Sequence, residues 1–239
     1  MATFFISDLH LDPSAPEIGQ QFLAFLTDAG RNADALYILG DLFEVWVGDD
    51  DDAPYTDAMV TAIRDYSESI PTFFMRGNRD FLIGERFATR TGVTVLDDPA
   101  VITLNEQPVL LSHGDQYCTD DVAYQAFRQQ SRDPTWQQQI LSLPLADRRV
   151  LAESLRQQSQ HAMSGKDAAI MDVNAAAITA ALRAADVTTM LHGHTHRPTV
   201  HRFLCDGAPC TRIVLGDWYD QASFLRWDSG GFELAVDPR

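Results

Sequence analysis

The chain has 239 residues, with 34 Asp and Glu against 18 Lys and Arg and a formal net charge of −16. Its apolar content of 45% belongs to a folded globular chain and excludes bulk disorder. A pI near 4.6 excludes broad nucleic-acid binding and general adhesion to anionic membranes, both of which need a basic surface.

The first apolar run, Thr3–Ile6, is short and β-rich and leads into Ser7-Asp8-Leu9-His10. No basic stretch followed by an apolar one precedes it, so no signal peptide is expected. No run approaches 18 apolar residues, so no membrane span is expected either. Ile18, Phe22, Phe25, Leu26 and Ala29 then follow helical spacing. Ala35–Leu39 predicts a second strand, leading into Gly40-Asp41. Phe43 and Trp46 read as packing, and the run Asp49–Asp52 as a solvated acidic loop.

Met59, Ile63 and Tyr66 predict a second helix, and Thr72–Met75 a third strand leading into Arg76-Gly77-Asn78-Arg79-Asp80. Val109–Leu111 leads into Ser112-His113-Gly114-Asp115, and Thr188–Leu191 into His192-Gly193-His194-Thr195-His196. Between these two strands, residues from about 122 to 170 read as helices around Tyr124, Phe127, Trp136, Ile140, Leu141 and Leu155. In this segment Arg128, Arg132, Arg148, Arg149, Arg156 and Lys166 outnumber Asp133, Asp147, Glu153 and Asp167. It is therefore a weakly cationic insert in an acidic chain, and Lys166 is the chain's single lysine.

Val200–Leu204, Thr211–Leu215, Ser223–Trp227 and Phe232–Val236 follow as strands without long helices between them, which predicts a second sheet. The fold class is α/β, a two-sheet sandwich flanked by helices, in one domain with a helical lid insertion. Cys118, Cys205 and Cys210 are few and odd in number, which predicts free thiols in a reducing compartment.

Ligands of α/β folds bind beyond the carboxyl ends of the strands. Here those ends carry Asp8 and His10, Asp41, Asn78, His113, and His194 and His196. Asp8 and His10 are two residues apart, as are His194 and His196, so in extended backbone each pair points to one side. Seven such ligands exceed the need of one ion and suit two ions sharing a carboxylate. The mixture of imidazole, carboxylate and amide oxygen favours Mn²⁺, Fe²⁺ or Zn²⁺ over Ca²⁺ or Mg²⁺.

The order Asp-x-His, Gly-Asp, Gly-Asn-Arg-Asp, His-Gly-Asp, Gly-His-Thr-His resembles that of the calcineurin-like metallophosphoesterases. Finer strings resemble one branch, the UDP-2,3-diacylglucosamine hydrolases of lipid A biosynthesis. They include Leu36–Glu44, Gly48-Asp49-Asp50, Gly77–Phe81, Cys118–Asp121, Tyr124–Arg128, Ala169–Asn174 and His192–Pro198. The resemblance implies Asp8, His10 and His196 on a first metal, Asn78, His113 and His194 on a second, and Asp41 bridging, with Mn²⁺ as the usual ion. It implies substrate contacts from Asn78, Arg79, Asp121, Ser159, Lys166 and His194, with Met163 standing where relatives often carry Asn. The implied reaction is attack of a metal-activated water on the α-phosphorus of UDP-2,3-diacylglucosamine, giving UMP and 2,3-diacylglucosamine 1-phosphate.

Arg79 stands where many metallophosphoesterases carry a proton-donating His, and an Arg remains charged. A phosphomonoester leaving group, with its second pKa of about 6, needs no such proton. A lipid substrate further implies a cytoplasmic protein meeting the inner-membrane surface transiently, through the insert and through Arg148 and Arg149. No nucleic acid and no obligate protein partner is expected. Two rival readings remain at this level: a nucleotide diphosphatase for soluble substrates on the same scaffold, and a scaffold without catalysis that binds a protein partner.

Overall fold

A computed structural model describes residues 2–163, 170–219 and 221–238. Two sheets lie face to face between two helical layers. The first sheet contains β1 (Ala2–Ile6), β2 (Ala33–Leu39), β3 (Thr72–Met75), β4 (Thr94–Leu96), β10 (Gln221–Asp228) and β11 (Gly231–Pro238), in the order β11-β10-β1-β2-β3-β4. The second contains β5 (Ala100–Leu104), β6 (Gln107–Ser112), β7 (Thr189–His192), β8 (Thr199–Cys205) and β9 (Ala208–Val214), in the order β5-β6-β7-β9-β8.

The central strands read as continuous apolar runs because both of their faces are covered. Phe4, Ile6, Leu36 and Ile38 face a core shared with α1 (Pro16–Thr27) and α2 (Pro54–Ser67). Phe5 and Leu39 face the opposite way, into the core between the sheets, where they meet Val109, Leu111, Leu191 and Ile213. Leu110 and Met190 point out of the second sheet onto Ile178 and Leu182 of α7 (Ala175–Ala185). This period-2 division stacks four layers with three apolar seams. Both α1 and α2 open on a proline in the first turn, where the missing N–H costs nothing.

The expected strands and the first two helices are all present, with ends displaced by a few residues. The four C-terminal strands divide between the sheets, contrary to the expectation of one new sheet. After β9 the chain crosses back, Trp218 buries fully against Phe22 and Phe25, and β10 pairs antiparallel with β1 through Thr3↔Trp227 and Phe5↔Leu225. The strands β4 and β5, α3 (Glu85–Thr91) and α7 had no clear pattern in the sequence. They are short, or half-exposed, or in α7 mostly alanine.

The insert forms α4 (Val122–Ser131), α5 (Pro134–Leu141) and α6 (Leu145–Met163). Among its described residues only Ser131 and Arg148 are buried, so it has no apolar core of its own. Charge pairs and a few apolar contacts dock it instead. Arg128 donates to Asp115 over 3.0 Å, and the ring of Trp136 lies 6.1 Å from that of Phe81. Ile140 packs on the first core.

Arg148 is 4% exposed and donates to the carbonyl of Val47 over 2.6 Å, to that of Leu143 over 3.0 Å and to both carboxylate oxygens of Asp50. Arg149 pairs with Asp51 over 2.5 Å. Two expectations are thereby corrected. Asp49–Asp52 is not simply a solvated loop. Asp49 accepts from Trp46 and from the backbone of Gly84 and Phe87, while Asp50 and Asp51 anchor the insert. Arg148 is committed to that docking and is not available to a membrane, whereas Arg149 remains half-exposed beside Asp51.

Arg148→Met is expected to weaken docking by about 2 kcal/mol, a few hydrogen bonds to a carbonyl and to a half-exposed carboxylate. Chymotrypsin should then cut within the insert several-fold faster, with the core fragment surviving. Uniform loss of the whole chain would contradict a separately docked insert.

Candidate metal centre

The residues singled out at the strand ends meet at one edge of the sandwich. Asp8, His10 and His196 form one group and Asp41, His113 and His194 another, each with its ligand atoms within 4.8 Å of one another. Asn78 adds its Oδ1 to the second group, 2.9 Å from His113 Nε2. Asp41 stands between the groups: its Oδ2 is 3.8 Å from His10 Nε2 and its Oδ1 3.7 Å from His113 Nε2.

The side chains converge by a different route from the extended one expected. Asp8, His10, Asp41, His194 and His196 all have left-handed backbones, with φ of 56°, 51°, 51°, 67° and 55°. Such a conformation costs a non-glycine residue about 1–2 kcal/mol. The surrounding backbone holds it: Asp8 N donates to Gly40 O over 3.1 Å, His10 N to Asp41 O over 3.0 Å and Gly193 N to His113 O over 2.9 Å. Gly77 is required for the close approach, since a Cβ there would collide with the Asp41 carboxylate and backbone nitrogen. Asp80 ties the same loop down, accepting from Gly77 N over 2.7 Å and Leu42 N over 2.8 Å.

The imidazoles are oriented from behind. His10 Nδ1 donates to Glu44 over 2.7 Å, His113 Nδ1 to the Leu39 carbonyl over 2.9 Å, and His196 Nδ1 lies 3.1 Å from Asp217. Each contact leaves Nε2 facing the centre, the second-shell arrangement typical of histidine ligands. Glu44 and Asp217 were not singled out in the sequence. Glu44 stood in the conspicuous Leu36–Glu44 string, whereas nothing local marks Asp217.

The donor set fits a divalent cation. Asp8 Oδ2 accepts from Ser7 Oγ over 2.5 Å and from His194 N over 2.9 Å. Asp8 Oδ1 is buried with no hydrogen-bond partner and lies 3.4 Å from His196 Nε2. A buried carboxylate oxygen without a donor is costly unless a cation meets it.

In the bare chain the cluster is internally charged. Burial would push His113 down, but Asp41, Asp115, Asp8 and Asp98 outweigh it and hold the group at about 9. Burial would pull His196 down, but its contact with Asp217 and the negative charge of Asp8 hold it at about 10. Burial pulls His194 down to about 4, with His113 adding to the effect. Glu44→Gln would remove the negative charge behind His10 while keeping the shape. It is expected to lower metal affinity about 10- to 100-fold, read by competition with a fluorescent chelator, with the thermal midpoint of the bare chain little changed.

Arg79 stands at the rim, 22% exposed, its guanidinium 3.9 Å from Glu44. Arg156 of α6 reaches the same Glu44 oxygen over 3.1 Å, so the insert presents a second cation here that the sequence did not single out. Tyr124 stacks on His194 at 5.8 Å and donates to Asp115 over 2.7 Å. Asp121 caps α4, accepting from Tyr124 N over 3.1 Å. The side chains of Ser159 and Met163, and Lys166 altogether, lie outside the described residues. The three cysteines are free and buried. No helix among the described residues is long and apolar enough to cross a membrane.

A profile for calcineurin-like phosphoesterases matches residues 1–198. The chain is 52% identical to the UDP-2,3-diacylglucosamine hydrolase of Stenotrophomonas maltophilia (strain K279a), over 98% of either chain. It is 49% identical to the protein of the same name from Aromatoleum aromaticum, over 99% of this chain and 97% of that one. Among solved structures, an archaeal phosphodiesterase superposes with a TM-score of 0.50 at 12% identity, covering 99% of each chain, which supports the fold alone.

Proposed function

The chain belongs to the calcineurin-like phosphoesterase family, and we propose that it hydrolyses the diphosphate of UDP-2,3-diacylglucosamine, releasing UMP and 2,3-diacylglucosamine 1-phosphate. The observation that carries this reading is the pair of three-ligand groups with Asp41 between them, in a chain about half identical over its length to relatives named for that activity. On this reading Asp8, His10 and His196 hold one divalent ion, Asn78, His113 and His194 a second, and Asp41 reaches both; the donor mixture suits Mn²⁺, Fe²⁺ or Zn²⁺, and the family resemblance points to Mn²⁺ among them. Two such ions supply an activated water at neutral pH and positive charge at the phosphate oxygens.

The remaining work falls to the chain's own groups. Arg79 meets a phosphate oxygen of the leaving half as a permanent planar cation. It has no proton to give, and a phosphomonoester with a pKa of about 6 needs none. Glu44 positions Arg79 and Arg156 as well as His10, so one carboxylate organises both the ligand and the anion contacts. Lys166, a compact point charge, is the further cation assigned to the substrate's phosphate or sugar oxygens. Asp121 acts through the end of α4, and Ser159 and His194 complete the polar contacts, with Met163 giving an apolar one.

The insert supplies the apolar surface for the two acyl chains. Ile140 is committed to packing, while Leu141 is 41% exposed and remains for them together with Leu155. The protein meets this substrate at the cytoplasmic face of the inner membrane through that apolar surface. Turnover of UDP-2,3-diacylglucosamine beside UDP-N-acetylglucosamine separates this reading from a nucleotide diphosphatase for soluble substrates. The lipid-linked compound should be strongly preferred, and equal turnover of the two would contradict the reading.

A further inference from the structure

A second recess borders the histidine loop and has no part in the chemistry described so far. It has a volume of about 230 Å³ and is lined by Thr195, Arg197, His201, Arg212 and Asp172 among others. No residue of the insert and none of the Asn78–Arg79 loop lines it. It therefore lies apart from the groups assigned to the leaving phosphate and the lipid. Thr195, which lines the recess, stands in sequence between two of the candidate ligands, so the recess adjoins the loop that carries them.

The polar groups of the recess form a pattern. Arg197 donates to Asp172 Oδ2 over 2.8 Å. Asp172 Oδ1 accepts from Val173 N over 2.7 Å, and the carboxylate retains further lone pairs. Arg212, half-buried in a strand of the second sheet, contacts His192 Nε2 over 3.2 Å. His192 Nδ1 donates to Gly193 O over 2.8 Å, so its Nε2 accepts from Arg212. A neutral imidazole is thus the one hydrogen-bond partner of the Arg212 guanidinium among the described residues, and none of their carboxylates lies within ion-pair distance. Most of the donors of a half-buried guanidinium are left for something else. The recess therefore brings together two donors, Arg197 and Arg212, and one acceptor, Asp172.

We propose that this recess binds the uracil base of the substrate, with Arg197 and Arg212 donating to its two carbonyl oxygens and Asp172 accepting from N3–H. The inference rests on the function proposed above, which supplies the uridine. The pairing edge of uracil runs acceptor, donor, acceptor, the complement of what the recess presents. Cytosine offers an amino donor and an unprotonated N3 in place of two of these groups, and would face Arg212 and Asp172 with like against like. Polar groups that the bound base would cover from water reject the base that leaves them unpaired more strongly than they favour the right one.

Calorimetric binding of UMP and CMP to the Mn²⁺-loaded protein tests this without relying on turnover. The shared ribose phosphate cancels between the two, so the difference reports the base. UMP is expected to bind at least about tenfold more tightly than CMP, and Asp172→Asn and Arg212→Gln each to weaken UMP about tenfold with little effect on CMP. Affinity for 2,3-diacylglucosamine 1-phosphate should be retained in both variants, showing that the fold and the opposite flank are intact. Equal binding of UMP and CMP by the wild type would overturn the proposal, as would UMP affinity unchanged in both variants. Base selectivity without turnover of the diacylated substrate would leave the recess assigned and contradict the proposed reaction instead.

Discussion

Asp41→Asn is expected to lower kcat/KM for UDP-2,3-diacylglucosamine by on the order of 10³-fold, about 4 kcal/mol of transition-state stabilisation. The two oxygens of Asp41 face different ligand groups, toward His10 on one side and His113 on the other. An amide keeps the size but removes the negative charge that a shared carboxylate brings to two cations. The same change also disturbs the loop after β3, because Asp41 Oδ1 accepts from Arg79 N over 2.8 Å. Metal content and activity should therefore fall together, with bound Mn²⁺ dropping from two equivalents to one or fewer in elemental analysis. Two equivalents retained with near-normal activity would mean that Asp41 does not link the ions. His196→Ala is a useful companion, since it removes a ligand from the first group alone.

The second large effect is expected at the rim. Arg79→Ala should lower kcat/KM by about 10²-fold, comparable to loss of one preorganised donor at a developing charge. Arg79→Lys should recover little, because a point charge does not reproduce a planar fork held beside Glu44. The limiting slopes of the pH profile should be unchanged in both variants, since Arg79 acts as a fixed cation and transfers no proton. A slope lost in Arg79→Ala would instead assign it to proton transfer. Near-normal kcat/KM would remove it from the site.

The parts of this centre that were legible in the sequence share a physical reason. Strands buried on both faces leave continuous apolar runs, and a polar residue after such a run stands out. Asp8, Asp41, Asn78, His113 and the His194–His196 pair were visible in that way, and the structure brings them together. The left-handed backbones that aim them were not visible, because the hydrogen bonds holding them come from loops distant in sequence.

The supporting carboxylates divide similarly. Glu44 lay in a string that drew attention, whereas Asp217 sits in the crossing segment that carries the chain back toward β1, with no local mark. The attachment of the insert was misread for the same reason. Asp50 and Arg148 are 98 residues apart, and each looks like ordinary surface charge until the fold joins them. A net charge of −16 is likewise uninformative as a sum. Asp8 and Asp41 face the candidate cations, Asp50 and Asp51 fasten the insert, and Asp172 pairs with Arg197 in a recess that Arg212 also lines.

A reaction at two metals is tested by UMP release from UDP-2,3-diacylglucosamine by protein stripped with chelator and then reloaded with Mn²⁺. The expected result is negligible release from the stripped protein and full release at two equivalents of Mn²⁺, with 2,3-diacylglucosamine 1-phosphate formed in equal amount. Release that is unaffected by stripping, or no release after reloading, would contradict it.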